Sequence, residues 1–162
     1  QIRQDSNVLI ILLSAKHQSQ DILAGFRAGA DDYIVKPIRN KEFLVRIHAI
    51  LQRVYPQSHH PLSSQRINGL ILDADGKQAI VQERQVCLSP LEFHLLHYLM
   101  QRKGMVVSKE DLLYNVWGFY EKAQGMNFVE SAVTRLRRKI EPDPANPQYI
   151  LTVWGEGYRF GM

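Results

Sequence analysis

The stretch "SPLEFHLLHYLMQRKGMVVSKEDLLYNVWG", residues 89–118, predicts two helices joined by a short connection. Ser89 is a favoured N-cap residue, a proline follows at the first helical position, and Glu92 adds an acid to the first turn. Apolar residues then recur at helical spacing up to Gly104, a residue type common at helix ends. Ser108 opens the second helix, again with acids in the first turn. Both helices are amphipathic and need neighbouring elements to cover their apolar faces.

The flanking sequence supplies those elements. Residues 127–140 predict a third helix, with "NFVE" at its capped start. Residues 149–160, "YILTVWGEGYRF", form two β-rich runs around a Gly-Glu-Gly turn, which indicates a hairpin. Residues 67–89 contain several short strands separated by turn residues such as Asp75-Gly76. Strands, three helices and a terminal hairpin predict an α+β winged helix-turn-helix domain over residues 66–162.

An α/β pattern precedes this domain. Residues 7–15, "NVLIILLSA", are almost continuously apolar, as expected for a strand covered on both faces. A helix over residues 19–30, a strand over residues 31–37 and a helix capped by Asn40 follow. The order β-α-β-α predicts a parallel sheet. Because two strands cannot close such a sheet, we expect residues 1–54 to be the carboxyl-terminal part of a larger α/β domain.

Residues 55–65 are rich in proline and serine and lack periodicity, so they predict a linker. His59 and His60 within it are either metal ligands or solvated residues, and the lack of nearby Cys or acidic ligands favours the second interpretation. His94 and His97 lie three positions apart among apolar helix residues, which favours packing over metal binding. We predict no metal site.

The composition excludes several classes of protein. A chain of 162 residues with 45% hydrophobic residues can bury a core, and no apolar run approaches the length of a membrane span. Cys87 is the single cysteine, so an internal disulfide is impossible and a reducing, cytoplasmic location is expected. The sequence shows no nucleophile-base pair, glycine-rich phosphate loop or ligand cluster, so we predict that the protein is not an enzyme.

The third helix contains a basic segment. Residues 131–140, "SAVTRLRRKI", hold four cations within five positions. At 100° per residue, Val133, Leu136 and Ile140 share a narrow stripe that must face the core. The cations either complement the negative end of the helix dipole on a solvated face, or enter a DNA major groove, where arginine binds guanine bidentately. Between Ser63 and Met162 there are 12 lysines and arginines against 11 acids, so a nucleic-acid binder must concentrate its cations on one face.

Taken together, these motifs resemble the OmpR/PhoB family of two-component response regulators over almost the whole chain. Residues 89–118, "VTRLRRKIEPDP" and "ILTVWGEGYRF" are similar to the family's winged-helix effector domain. "VLIILLSA" and "AGADDYIVKPI" are similar to the second half of its flavodoxin-like receiver domain. The resemblance implies a sequence-specific DNA-binding transcription regulator of a phosphorelay. It implies that the third helix reads the major groove while the hairpin touches the neighbouring minor groove.

The resemblance also implies roles for effector residues. The positions expected to face bases are Phe128, Ser131, Ala132 and Arg135, and Arg135 is favoured for direct readout. The positions expected to contact phosphates are Thr134, Arg137 and Arg138. The positions expected on the wing are Trp154, Tyr158 and Arg159.

Two effector features allow alternatives. Some relatives have arginine where this chain has Trp154, which either packs against the hairpin and third helix or lies along the sugar-phosphate wall; packing is favoured. Residues 118–126 correspond to a loop that contacts RNA polymerase in some members, or they form an ordinary exposed loop.

In the receiver half, the resemblance implies that Ser14, Tyr33 and Lys36 are the switch residues that respond to a phosphorylated aspartate. The Lys36-Pro37 bond is expected to be cis. The family's phosphoacceptor and acidic Mg²⁺ ligands lie on earlier strands, which this chain lacks. We therefore expect no cofactor in this chain, Mg²⁺ only with an intact receiver, and a sensor histidine kinase as partner of the intact protein.

The resemblance further implies a homodimer through the receiver face. The matching positions are Asp31, Asp32, Glu42, Arg46 and Arg53. Asp32 with Arg46 and Asp31 with Arg53 match two intersubunit ion pairs of the family, each worth about 0–1 kcal/mol when exposed. Alternatively, these charges are merely solvated.

Two functions remain to be weighed. The first is a DNA-binding transcription regulator. The second is a protein-interaction or dimerisation module with weak or non-specific DNA binding, favoured by the aromatic residues Trp154 and Phe128. Affinity for duplex DNA that falls steeply with salt distinguishes the first from the second.

Overall fold

We describe the protein from a computed structural model, which describes residues 2, 6–38, 40–54, 65–67, 69–73, 78–118 and 122–161. Within the helices and strands, the side chains of residues 40–42, 45, 53–54, 65 and 122–127 are outside the description. Nearly all of the predicted linker, the Asp75-Gly76 turn and residues 119–121 therefore lie outside the described residues.

The first half of the chain folds as an α/β unit, defined here as residues 6–54. Its elements are β1 (Ile11–Ser14), α1 (Ser19–Arg27), β2 (Asp32–Val35) and α2 (Asn40–Val54). The two strands pair in parallel, with Ile11 opposite Asp32. Helix α1 lies close to β2, since a Cβ on Gly25 would come within 2.8 Å of the Tyr33 ring. The predicted parallel pair is confirmed.

The second half folds as a winged-helix unit, defined here as residues 65–161. It begins with an antiparallel sheet in the order of the chain, β3 (Gln65–Ile67), β4 (Leu70–Asp73), β5 (Gln78–Val81) and β6 (Arg84–Cys87). Gln82 and Glu83 turn the chain between β5 and β6 with φ of 49° and 66°. Two such left-handed residues match the twist of the strands in a two-residue hairpin.

Two helices follow the sheet. Helix α3 (Pro90–Gln101) has the capping box, because Glu92 N donates to Ser89 Oγ and Ser89 N donates to Glu92 Oε2. Strand β7 (Val106–Ser108) leads into α4 (Lys109–Leu112), which continues as a π-helical turn to Trp117. Gly118 ends that turn with φ of 82°, a conformation that glycine adopts without strain.

The third helix is longer than predicted. Helix α5 spans Lys122–Ile140, so it begins before the predicted cap at Asn127. Residues 122–126 contain good helix formers such as lysine, alanine, glutamine and methionine, and an asparagine inside a helix costs little. The predicted loop 118–126 is therefore helical from residue 122 onward.

The wing is a hairpin of β8 (Ile150–Val153) and β9 (Gly157–Phe160), with β9 between β8 and β7. Gly157 lies so close to β7 that a Cβ there would be 2.1 Å from the Val107 carbonyl oxygen. The predicted apolar stripe of α5, Val133, Leu136 and Ile140, is fully buried in this unit. Among the described residues, no helix is long and apolar enough to cross a membrane.

Candidate nucleic-acid interface

Helix α5 does not present its predicted base-facing side to solvent in this structure. Phe128 is 4% exposed, and its ring lies 4.0 Å from that of Phe26 on α1. Ser131 and Ala132 are buried as well. The expectation that these three residues face outward is wrong for this conformation. The physical reason is the apolar ring of Phe128, which packs against Phe26 on α1. Burial of such a ring stabilises the contact by about 2 kcal/mol.

Arg135, the residue favoured for base readout, is tied to the protein itself. Its Nη1 donates to the Phe26 carbonyl oxygen at 2.7 Å, and its Nη2 is 3.6 Å from Asp31 Oδ1. Its Nε is 3.7 Å from Glu92 Oε1. The side chain is only 11% exposed. The prediction of a solvent-facing Arg135 is wrong here, because two buried carboxylates need a nearby cation.

Lys139 completes this charged cluster. Its Nζ donates to Glu92 Oε2 at 2.7 Å and to the Cys87 carbonyl oxygen at 3.1 Å. It also reaches Asn7 Oδ1 in the α/β unit at 3.1 Å. Glu92 therefore caps α3 and neutralises two cations of α5. The sequence predicted Glu92 only as an acid in the first turn of α3, because its contacts with Arg135 and Lys139 depend on the fold.

Arg137 and Arg138 have different environments. Arg137 donates to the Ile150 carbonyl oxygen from Nε at 3.0 Å and from Nη2 at 2.6 Å, and to Thr152 Oγ1 at 2.9 Å. Burial lowers the pKa of Arg137. This guanidinium fastens α5 to β8, so its predicted phosphate contact is wrong for this conformation. Arg138 is exposed, as a phosphate contact requires, and so is Thr134, whose Oγ1 donates to the Glu130 carbonyl oxygen.

The wing differs from the favoured expectation. Trp154 is 91% exposed at the hairpin turn, so the expectation that it packs against the hairpin and α5 is wrong. Tyr158 and Arg159 lie on the wing strand β9, as predicted. Because β9 is the central strand of its sheet, Tyr158 is buried and Arg159 is half-buried. A groove of about 530 Å³ separates the wing from α5, and Lys109 pairs with Glu130 along it.

Two of the three switch positions of the α/β unit, Ser14 and Lys36, lie at the carboxyl ends of β1 and β2. Ser14 Oγ accepts from Lys16 N at 3.1 Å, and Ser14 O accepts from Lys36 N at 2.7 Å. Tyr33 is buried, and its hydroxyl donates to the Lys16 carbonyl oxygen at 2.9 Å. Lys36 is exposed, and the Lys36-Pro37 bond is cis, as expected.

The predicted dimer face is partly covered by the winged-helix unit. Asp31 is 1% exposed: its Oδ2 accepts from Ile10 N at 2.9 Å, and its carbonyl oxygen accepts from Trp117 Nε1 at 3.1 Å. Asp32 is fully buried, and this burial raises its pKa to about 7, while Arg46 acts in the opposite direction. The expectation that these two aspartates form exposed intersubunit ion pairs is therefore wrong for this conformation.

The remaining residues of the predicted dimer face are Arg46, Glu42 and Arg53. Arg46 is half-buried, close enough to Asp32 in the same chain to lower the pKa of that carboxyl. The side chains of Glu42 and Arg53 lie outside the described residues.

The two histidines of α3 lie in different surroundings. His97 is buried with its ring stacked on Phe93, and burial lowers its pKa. His94 Nε2 lies 3.4 Å from the Asn115 carbonyl oxygen. Across the described part of the chain, no three His, Cys, Asp or Glu side chains form a group that could hold a metal ion. His59 and His60 are outside that part.

Comparison with known proteins identifies the family of this fold. Residues 83–160 match the family described as "Transcriptional regulatory protein, C terminal". The chain is 39% identical over 160 residues to the DNA-binding response regulator MtrA of Mycolicibacterium smegmatis, a match that covers 99% of this chain and 68% of that protein. The response regulator DrrB of Thermotoga maritima, described as an OmpR/PhoB homologue, shares 32% identity over 95% of this chain and 67% of its own, with a TM-score of 0.56.

The chain belongs to the OmpR/PhoB family of DNA-binding response regulators. The RstA DNA-binding domain of Klebsiella pneumoniae, solved in complex with the RstA box, shares 27% identity with this OmpR/PhoB chain, with a TM-score of 0.56. It covers 61% of this chain, and 97% of its own residues are matched. The predicted family and the predicted winged-helix domain are thus confirmed. The chain spans about two thirds of the length of MtrA and DrrB.

Proposed function

We propose that this OmpR/PhoB chain is a sequence-specific regulator of transcription that binds duplex DNA through α5 and the wing. The observation that supports the proposal most is the arrangement of α5. One edge of this helix is fully buried, while Thr134 and Arg138 are exposed. Thr134 lies across a groove from the exposed Trp154. A helix fits the major groove, and apolar or aromatic side chains of a neighbouring element can enter the minor groove.

DNA binding through this surface requires the two units to separate. The Phe26–Phe128 contact and the hydrogen bond from Arg135 to the Phe26 carbonyl oxygen cover the base-facing residues. We refer to this arrangement as the closed form. In an open form, Arg135 loses its contacts with Phe26 and Asp31 and becomes available to a guanine, and Phe128 and Ala132 become available to thymine methyl groups.

The α/β unit is proposed to be the second half of a receiver domain. Support comes from Ser14 and Lys36 at the carboxyl ends of the parallel strands and from the Tyr33 hydroxyl, which donates to the Lys16 carbonyl oxygen. A phosphorylated aspartate would be sensed there. A sensor histidine kinase is the proposed partner of such a receiver. Release of Asp31 and Asp32 from the closed form would free them for the homodimer pairs with Arg53 and Arg46. Residues 118–126 are the proposed contact with RNA polymerase.

The function is tested by fluorescence anisotropy with two labelled duplexes, one of random sequence and one enriched for binding from a random pool. Arg138→Ala is expected to weaken both duplexes equally and to lower the slope of log affinity against log salt by about 1. Arg135→Ala is expected to reduce the ratio of the two affinities by about tenfold, from a loss of about 1–3 kcal/mol at one base pair. The ratio is the informative quantity, because Arg135→Ala also weakens the closed form and this affects both duplexes alike.

Equal losses on both duplexes for Arg135→Ala would exclude base readout by this residue.

A second candidate function, a protein-interaction module, is supported by the exposed Trp154 and by the interface that Phe128 makes. Affinity for DNA that does not change with salt would favour this second candidate, since phosphate contacts release counterions and make binding salt-dependent.

A further inference from the structure

A groove of about 490 Å³ lies along the seam between α1 and α5. Helix α1 contributes one apolar and one cationic side chain, and α5 contributes two hydroxyls, two guanidinium groups and one carboxylate. The lining residues are Leu23, Arg27, Glu130, Ser131, Thr134, Arg135 and Arg138. The two units build this groove together, so it exists only in the closed form.

The charges in this groove are not balanced. Arg135 is held by Asp31 and Glu92, and Glu130 at the rim is paired with Lys109. By contrast, Arg27 and Arg138 are exposed and make no ion pair with any residue that the structure describes. Arg27 and Arg138 thus line one groove from the two units, each without an ion-pair partner among the described residues.

We propose that this groove binds a small phosphate-bearing anion that bridges Arg27 and Arg138. Guanidinium groups bind phosphate oxygens through paired charge-assisted hydrogen bonds. Ser131 and Thr134 add hydroxyl groups at the same groove, and its volume falls in the range of small-ligand sites. The anion would attract one guanidinium group from each unit and so connect the two units across the seam.

This inference rests on the proposed DNA-binding function and names a regulation of the same surface. A ligand that binds only the closed form stabilises that form by mass action. DNA needs the open form, so the anion and DNA must weaken each other's binding by the same factor. Arg138 serves both states, as an anion ligand in the closed form and as a DNA phosphate contact in the open form. Arg27 serves the closed form alone, which makes it the diagnostic residue.

The first experiment is a calorimetric titration of inorganic pyrophosphate into the full chain, with ionic strength held constant by chloride. Saturable binding at one site is expected, and Arg27→Gln is expected to weaken it by about tenfold, the effect of one charge-assisted hydrogen bond. Arg66→Gln, which removes an exposed arginine on β3 outside the groove, is the matched control and should bind like the wild type. Equal binding by all three proteins would overturn the proposal.

The second experiment measures DNA affinity by anisotropy with and without pyrophosphate at the same ionic strength. Pyrophosphate is expected to weaken DNA binding by the wild type and by Arg66→Gln, and to have about a tenfold smaller effect on Arg27→Gln. In chloride alone, Arg27→Gln is expected to bind DNA at least as tightly as the wild type. Weaker DNA binding by Arg27→Gln in chloride would place Arg27 in the DNA site and overturn the proposal. A chain that binds pyrophosphate through Arg27 but no duplex would retain the anion site and refute the proposed function.

Discussion

Arg135 has one set of partners in the closed form and a different set in the proposed DNA complex. In the closed form it compensates Asp31 and Glu92, two carboxylates that are each 1% exposed. Removal of one partner from a buried ionic cluster leaves an uncompensated charge, which is strongly destabilising. Lys139 still neutralises part of the charge on Glu92, so the loss is smaller than for an isolated pair.

Arg135→Ala is therefore expected to lower the free energy of unfolding by about 3 kcal/mol, measured by urea denaturation. Arg138→Ala removes an exposed guanidinium from the same helix and should change the free energy of unfolding by no more than about 0.5 kcal/mol. A similar loss for both variants would show that the partners of Arg135 do not stabilise the fold.

Asp32 gives the protein a pH-dependent stability. Its carboxyl is fully buried, and this burial raises the pKa from 3.8 to about 7. A carboxyl with a higher pKa in the folded state binds its proton more tightly there than in the unfolded chain. The neutral form thus supports the fold at low pH, and this contribution is lost as the pH rises from about 4 through about 7.

Between pH 4 and pH 8, the wild type is expected to lose up to about 4 kcal/mol of stability relative to Asp32→Asn, since each pKa unit corresponds to about 1.4 kcal/mol. Urea denaturation over this pH range measures the difference. Glu156→Gln removes an exposed carboxyl on the wing turn and should follow the wild type at every pH. Parallel curves for the wild type and Asp32→Asn would contradict the raised pKa.

At the scale of elements, the wing turn and helix α5 form the two edges of the proposed interface. Trp154 is exposed on the wing, so its ring contributes little to folding and remains available to a partner. A large apolar side chain at this place is suited to the wall or floor of a minor groove.

Trp154→Ala is expected to weaken DNA binding by about fivefold, equivalent to about 1 kcal/mol, while leaving the thermal midpoint unchanged. Anisotropy and thermal unfolding provide the two measurements. Met105→Ala removes another exposed apolar side chain, located before β7, and should change neither quantity. A lowered midpoint for Trp154→Ala would instead indicate that the tryptophan packs against the hairpin.

At the scale of the whole molecule, the closed form places the α/β unit directly on α5, the helix proposed to read DNA. Phe26 is the central apolar contact, because its ring packs on Phe128 and its carbonyl oxygen holds Arg135. Trp117 adds a second connection through its hydrogen bond to the Asp31 carbonyl oxygen. Contacts of this kind couple the position of one unit to the activity of the other.

Phe26→Ala is expected to increase affinity for duplex DNA by at least about fivefold, within the usual range of coupling between two states. Phe160→Ala removes a ring of equal size from the core of the wing sheet and should not increase affinity. Anisotropy on both variants separates opening of the seam from general loss of stability. No gain in affinity for Phe26→Ala would show that the closed form does not limit DNA binding.

Much of the fold was predictable, because helix caps, apolar periodicity and turn residues act over a few positions of the chain. The N-cap at Ser89 and the buried stripe of α5 are confirmed for this reason. The start of α5 was misplaced, since Asn127 is a favoured cap but also tolerated inside a helix. The exposure of Trp154 could not be predicted, because it depends on how the hairpin lies against α5.

The sequence by itself determined the family, the winged helix and the basic character of α5, all of which depend on local patterns of residues. Only the tertiary structure decided which cations of α5 are free. Arg135 meets the Phe26 carbonyl oxygen across 109 positions, and Lys139 meets Glu92 across 47. Charges interact through space at a few ångströms, so partners this distant in the chain are set by the packing of α1, α3 and α5 and leave no periodic signal in the sequence.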